Sequence, residues 1–392
     1  MVQERQLVEK ITRALLPQRA ASSRLKLGIG DDAAVISLAS RTEWVLSCDT
    51  FLENVHFRLS THPPDAVGYK ALARATSDLA AMGATPRFFL LTLALPAGAA
   101  RTSGFPKSGA LRFAKTFSPL NSHSQTGQTA PGRSFVGRGV SHDKTSAPGS
   151  GALAPEVPSE SWLNAFLKGM ARASRELGIT VIGGDTTQSR TIFISITVLG
   201  EITRGRALTR SGARPGDIIY VSGKLGCAQL GLELVLRGRA RNRQLRALVQ
   251  PHLYPKIQIA LGSWLAQHRI ATSAMDLSDG LSTDLARLCA ASQVGAKIYA
   301  SKIPTAAIPS AAAGELGKPK LHPLQLALHG GEDYELLFTV SPRQARKLAR
   351  APGAAALTAI GEITHAHELI LVASDGREKT LKSQGWDPFN NR

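Results

Sequence analysis

Acids are scarce in this chain. Against 47 Lys and Arg stand 29 Asp and Glu, a formal net charge of +18. Aromatics are only 5% of the residues, which leaves few platforms for stacking nucleic-acid bases. The three cysteines, Cys48, Cys227 and Cys289, are widely spaced and suggest neither a zinc site nor a disulfide framework. No apolar run approaches the ~20 residues that a bilayer crossing requires, so no membrane partner is expected. Residues 1–10 carry acids and lack an apolar core, so no signal peptide is read there and a cytoplasmic protein is expected. Also missing are a Gly-x-x-x-x-Gly-Lys-Ser/Thr loop and the Gly-rich loop, Lys and His-Arg-Asp sets of protein kinases. If the chain handles ATP, it does so with another architecture. No Ser-His-Asp or Cys-His constellation is found.

What is present suits a folded protein. A length of 392 residues allows two domains, and 43% apolar content is that of a globular chain. Elements alternate between strands and helices, which points to an α/β class. Residues 1–25 read as a short amphipathic helix, with Leu7, Val8, Ile11, Leu15 and Leu16 at helical spacing. A strand at Trp44–Cys48 is expected to end in Asp49-Thr50. Residues 65–84 read as a helix with Asp65 as its N-cap and Gly83 at its close. Within it, Ser77-Asp78-Leu-Ala-Ala-Met-Gly-Ala84 is so rich in small residues that something must pack closely against it. Residues 97–158 differ in kind. They repeat Gly, Ser, Thr and Pro without a helical or strand period, carry a marked excess of Lys and Arg, and read as a disordered basic insertion.

Order resumes with a helix from Ser159 to Leu177, closed by Gly178, and a strand Ile179–Ile182 running into Gly183-Gly184-Asp185. A boundary near 205–215 divides an N-terminal domain, 1–205, from a C-terminal domain, 206–392. The second half contains a helix over Cys227–Leu236, the segment Met275-Asp276-Leu-Ser-Asp279-Gly280 and strands at 336–340, 357–363 and 369–372.

The scarcity of acids makes their placement informative. Asp31, Asp32, Asp49, Asp78, Asp185, Asp276 and Asp279 all sit among glycines or small residues, several of them where a strand is expected to end. Each alone could be a cap or a turn residue. Together they suggest a shared metal centre, and an all-oxygen donor set favours Mg²⁺ over zinc or copper. Such a centre suggests phosphate chemistry.

These segments, with Gly28-Ile-Gly-Asp-Asp32, Arg206-Ala-Leu-Thr-Arg210 and Gly330-Gly-Glu-Asp-Tyr-Glu335, together resemble the thiamine-monophosphate kinase family along the whole chain outside 97–158. The resemblance implies the two-domain α/β fold of the aminoimidazole ribonucleotide synthetase superfamily. It implies a mixed-sheet N-terminal domain that pairs into a homodimer and holds ATP at the interface between domains. The implied reaction is ATP plus thiamine phosphate giving thiamine diphosphate and ADP. Carried over by position, Asp32, Ser47, Cys48, Asp49, Asp78, Asp185, Asp276 and Asp279 look like ligands of several Mg²⁺ ions. Gly184, Asp185, Arg210 and Ser278 look like ATP contacts, and His56, Glu332 and Trp386 like thiamine phosphate contacts. Asp32, Asp78, Asp185 and Arg210 are the implied catalytic set. Cys48 stands where the family usually has Thr. The alternatives are a sister synthetase of the superfamily, for aminoimidazole ribonucleotide or selenophosphate, a non-catalytic homologue, and a basic nucleic-acid-binding protein. The aspartates argue against the last, since without metals they would repel phosphates.

Overall fold

The computed structural model describes residues 41–96, 159–316 and 321–386, with two short strands before them, β1 (Leu25–Leu27) and β2 (Val35–Ile36). The expected N-terminal helix, the Gly28–Asp32 motif with Asp31 and Asp32, and the basic stretch 97–158 lie outside the described residues.

Four strands form the N-terminal sheet: β3 (Thr42–Leu52), β4 (Thr85–Pro96), β5 (Thr180–Ser189) and β6 (Phe193–Thr203). Their order is β3-β6-β4-β5, antiparallel except for the β4/β5 pair, so the sheet is mixed. Two of its strands are longer than the sequence suggested. β3 continues through Asp49 to Leu52, and β5 runs through Gly183-Gly184-Asp185 to Ser189. Asp49 and Asp185 therefore lie inside strands, not at strand ends. Alternation then decides what they face.

One face of this sheet is covered by α1 (Pro64–Ala81) and α2 (Glu160–Leu177). Pro64 opens α1, a position whose missing N–H costs nothing. Asp65 is thus in the first turn instead of capping it, and its carboxylate accepts from the Tyr254 hydroxyl at 2.6 Å. Ser159 caps α2 by accepting from the Trp162 N–H at 3.2 Å, and Gly178 ends it in the left-handed region, φ 65°. The helices cross closely because Gly68 lacks a side chain. A Cβ there would stand 2.0 Å from the Phe166 carbonyl oxygen.

The C-terminal sheet has seven strands in the order β13-β12-β9-β11-β7-β10-β8. Its members are β7 (Ile218–Ser222), β8 (Ala271–Asp276), β9 (Gly295–Tyr299), β10 (Leu336–Val340), β11 (Leu357–Thr364), β12 (Leu369–Val372) and β13 (Glu378–Thr380). The main helices of this half are α3 (Cys227–Leu236), α4 (Arg246–Leu253), α5 (Ile259–Gln267) and α6 (Leu281–Ser292). Among the described residues, no helix is long and apolar enough to cross a membrane.

The two halves share a core. Leu72, Leu79, Phe89 and Ile196 from the first pack in one cluster with Leu261, Leu265, Phe338 and Val340 from the second. The small-residue stretch expected to be closely packed is the seam. Gly262 of α5 comes so near α1 that a Cβ on it would lie 1.9 Å from the Ala80 carbonyl oxygen. Gly262→Val forces those helices apart and is expected to cost about 1–3 kcal/mol of stability, read as a lower urea midpoint for the full chain.

Candidate active site between the two halves

Helix α1 is buried nearly all round, yet Lys70, Arg74, Ser77 and Asp78 recur along one stripe of it. Each meets a polar group from another element. The Ser47 hydroxyl donates to Asp78 Oδ2 in a short bond. Arg74 Nε donates to Asp49 Oδ2 at 3.2 Å and its guanidinium lies over the Phe51 ring. Ser47, Asp49 and Phe51 alternate along β3, so all three face α1. Ser77 Oγ donates across the seam to Asp276 Oδ2 at 2.7 Å. Lys70 Nζ pairs with Glu332 Oε2, also at 2.7 Å.

The C-terminal half presents its residues on two stitched loops. Asp276 ends β8, a strand the sequence reading did not identify. Beyond it, the Leu277 N–H donates to the Glu335 carbonyl, the Tyr334 N–H to that of Leu277, and the Glu332 N–H to that of Ser278. Glu332 and Tyr334 hold left-handed φ values of 68° and 50°, a conformation non-glycine residues adopt at a cost. That twist delivers Glu332 to the seam while Tyr334 enters the core.

Asp49, Asp78 and Asp276 lie within electrostatic reach of one another. Burial, reinforced by Asp78, pushes the Asp276 carboxyl up to about 7. Burial and Asp49 also raise Asp78, against the opposing hydrogen bond from Ser47 and the charges of Arg210 and Arg74. Burial works against charge on Glu332 as well, but Lys70 and His252 outweigh it and hold Glu332 well below the usual carboxylate range. His56, whose Nδ1 accepts from the Leu52 N–H at 3.0 Å, is brought down to about 4 by burial and by Arg74. It feels Glu332, Lys70 and Asp49 too, so the expected substrate pair His56 and Glu332 are neighbours.

Other expected residues are placed differently. Asp279 pairs with Arg287 through a short contact, and its N–H donates to the buried Asp284 at 2.9 Å. Trp386 is half-exposed, its N–H tied to the Asp279 carbonyl at 3.1 Å. Ser278 contributes the carbonyl that receives Glu332. Arg210 is exposed and contributes charge near Asp78. Cys48 is on the β3 face opposite Asp49, with Sγ 3.4 Å from Ser195 Oγ. Asp185 shares a register row with Thr92, Ser195 and Thr50, so it stands on that same opposite face, at the far edge of the sheet. Gly184 beside it is exposed. The structure thus gathers Ser47, Asp49, Asp78, Asp276, His56 and Glu332 and leaves Cys48, Gly184 and Asp185 apart. Asp32 lies outside the described residues.

The donors around Asp78 are oxygens, the kind a hard cation takes. Among the described residues, no three His, Cys, Asp or Glu side chains converge on one metal position. A magnesium ion seldom needs such a cage. It is usually held by one or two carboxylates together with waters and substrate phosphates, and Asp78 and Asp276, within electrostatic reach of each other, fit that pattern.

The sequence reading missed Lys70, Arg74 and Ser77, although their spacing from Asp78 on an apolar helix was the available signal. It also missed a buried histidine pair. His62 Nε2 lies 3.2 Å from His252 Nε2, and His252 Nδ1 lies 3.2 Å from Glu332 Oε2. Nothing in the local sequence joins positions 62 and 252. Burial, with His252 and Lys70 nearby, pulls His62 down to about 3 from its ordinary 6.5. Folded His62 thus binds a proton less readily than unfolded His62. Its contribution to stability is full above about pH 6.5 and is lost as the pH falls towards 3. By pH 5 the loss from this group is about 2 kcal/mol. Urea unfolding at pH 5 and pH 8 is expected to show it, and His62→Gln to shrink the difference.

Comparison with known proteins places this geometry. Residues 30–116 and 150–202 match the family model "AIR synthase related protein, N-terminal domain", and residues 214–374 match its C-terminal counterpart. The stretch 117–149, inside the basic segment, is left unmatched. The chain is 33% identical over 378 residues to the thiamine-monophosphate kinase of Escherichia coli strain K12, covering 95% of each. It is similar to the crystal structure of thiamine-monophosphate kinase from Stenotrophomonas maltophilia, at 30% identity, TM-score 0.65 and 95% coverage of both chains. A structure of AaThiL complexed with AMPPCP and TMP aligns with TM-score 0.65 at 28% identity, over 98% of this chain and 97% of that one. With both domain models matched in order, and a relative this similar over nearly its whole length, the chain belongs to the thiamine-monophosphate kinase family of AIR synthase related proteins.

Proposed function

We propose that this protein transfers the γ-phosphoryl group of ATP to thiamine phosphate, giving thiamine diphosphate and ADP. The observation that carries the reading is the seam itself. Acidic groups of Asp49, Asp78 and Asp276 adjoin Arg74 and Arg210 at one end, and a charged Glu332 beside a neutral His56 at the other. This occurs in a chain so similar to thiamine-monophosphate kinases.

The chemistry suits these groups. The attacking atom is a phosphate oxygen of the substrate, already deprotonated near neutral pH, so no strong general base is needed. The obstacle is the approach of two anions, and it is met by positioning and charge. Mg²⁺, held by Asp78, Asp276 and Asp49 together with substrate phosphates, would supply the charge neutralisation. Arg74, fixed by Asp49 and stacked on Phe51, adds a positive charge that cannot be lost at working pH. Arg210 adds a second from the exposed side. Glu332 offers an anion to the cationic thiazolium or the amino group of the substrate, and Trp386 an exposed aromatic face for the same cation. Ser47, Asp32 and Asp279 are the further proposed Mg²⁺ ligands, with Ser278 against the nucleotide, whereas Cys48 and Asp185, on the opposite sheet face, and Gly184 beside Asp185 stand apart from this cluster.

A homodimer accompanies this reading. On the sheet face away from α1, Leu46 is 60% and Leu90 36% exposed. They share that face with Trp44, Phe88 and Leu199, since Leu46 pairs with Leu199 and Leu199 with Phe88. An apolar band of this kind supports pairing with a second copy.

Two measurements test the proposal. ADP release with Mg²⁺-ATP and thiamine phosphate, with thiamine diphosphate identified as product, is expected for the full chain. Asp276→Asn is expected to lower kcat at least about a hundredfold, and equal activity of that variant would remove the carboxylate cluster from the mechanism. Leu46→Asp is expected to convert a dimer into a monomer in light scattering. An unchanged mass would place any self-association elsewhere.

A further inference from the structure

We infer that His62 and His252 form a one-directional hydrogen-bond relay that positions Glu332 for the substrate, a role distinct from that of ordinary core histidines. The inference rests on the proposed function in taking Glu332 as a substrate contact.

The direction of the relay follows from one fixed donor. The backbone N–H of Arg58 points at His62 Nδ1, 3.2 Å away, and the Thr61 hydroxyl lies 3.0 Å from the same atom. A backbone N–H can only donate, so His62 Nδ1 holds a lone pair and the ring proton sits on Nε2. That proton points at His252 Nε2, 3.2 Å away. His252 Nε2 must then accept, which puts the His252 proton on Nδ1. From there it is directed at Glu332 Oε2, 3.2 Å away.

Lys70 Nζ lies 3.1 Å from His252 Nδ1, so the opposite arrangement has to be considered. If Lys70 donated to Nδ1, His252 would carry its proton on Nε2. His62 would have to accept there and turn its own proton towards the Arg58 N–H. Two donors would then face each other, and the arrangement fails. In the first arrangement Lys70 Nζ and His252 Nδ1, 3.1 Å apart, both turn their protons to one acceptor, Glu332 Oε2, with Lys70 at 2.7 Å. Burial disfavours the cationic form of both rings, and the nearby Lys70 adds to it, so both remain in the neutral form the relay needs.

The consequence falls on Glu332. Its Oε2 is engaged by two donors, while Oε1 has no hydrogen-bond partner among the described residues. The side chain is 24% exposed and lies beside His56 and Arg74. The relay therefore fixes the carboxylate plane and leaves one oxygen free for a donor or cationic group of a ligand. It spans three parts of the chain: the segment before α1, the end of α4, and the Gly330–Glu335 loop. It can form only when both halves of the molecule are docked.

The test uses the full chain. With selectively ¹⁵N-labelled histidine, long-range ¹H–¹⁵N correlation at pH 7.5 is expected to show His62 protonated on Nε2 and His252 on Nδ1. His252 protonated on Nε2, or either ring as a cation, overturns the proposal. Kinetically, His62→Phe leaves His252 free to reverse its tautomer. It is expected to raise KM for thiamine phosphate by about tenfold with KM for ATP unchanged. His62→Gln, whose amide can still donate to His252, is expected to restore most of the loss. Should the Phe variant not fold, the wild-type tautomers and the Gln variant still decide. Equal changes in both KM values, or none in folded His62→Phe, would sink the positioning role. Failure of the kinase reading is visible separately, as absent turnover by the wild-type chain, and the proposal then falls with it because Glu332 has no such substrate to position.

Discussion

A polar stripe on a buried helix is the constraint around which this molecule is arranged. Lys70 is 2% exposed and Ser77 fully covered. Neither could be buried cheaply without a partner, because an unpaired buried hydroxyl costs about 1–3 kcal/mol and an isolated buried charge far more than the net stability of a domain allows. Their partners are not local. Glu332 and Asp276 come from the C-terminal half, and Ser47 and Asp49 from β3. Docking of the halves and assembly of the site are therefore one event. Removing one member of a buried ion pair typically costs about 3–5 kcal/mol, so damage at Lys70 or Glu332 is felt in the fold and in the site together.

The same arrangement explains the close packing beneath it. Short hydrogen bonds across the seam require backbones that approach closely. Gly262 against Ala80 and Gly68 against Phe166 provide that on two sides of α1. The apolar residues around them, such as Leu72, Leu79 and Leu265, fill the space between the polar contacts. Packing supplies the driving force, and the polar pairs select one docking register, since a displaced helix would leave carboxylates facing apolar surface.

How much of this could be read from residues alone differs by element. The Ser77–Ala84 run announces a close contact because small residues have few other uses in such density, and Asp276 stands out by its apolar and glycine-flanked setting in a chain short of acids. Asp49 and Asp185 were misplaced at strand ends because turn-like residues, Asp-Thr and Gly-Gly-Asp, weigh against strand continuation locally. Pairing along the full lengths of β6 and β4 overrides that weak preference. The correction has a functional edge, since alternation separates Asp49 from Cys48 and Asp185 by face. The Lys70-Arg74-Asp78 spacing is legible as one polar stripe on an apolar helix. The His62–His252 contact was not legible, because no period or motif connects positions that meet only through the tertiary fold.

The scarcity of acids returns as a property of the site. The chain carries +18 in all, yet the seam collects several of its few carboxylates and brings two of them, Asp78 and Asp276, within electrostatic reach of one another. The long-range field of such a protein draws anions in, whereas the local field at Asp78 and Asp276 repels them. The two effects are reconciled only when a cation comes with the anion. In the proposed reaction, a nucleotide carrying its metal would bring that cation to Asp276, whose proton affinity burial and Asp78 raise. The raised proton affinity of Asp276 and the oxygen-only donor set thus express one preference, and Glu332, kept anionic by Lys70, extends it. On the proposed reading, the two ends of the seam suit ligands that bring positive charge, a metal-bound phosphate at one and an organic cation at the other.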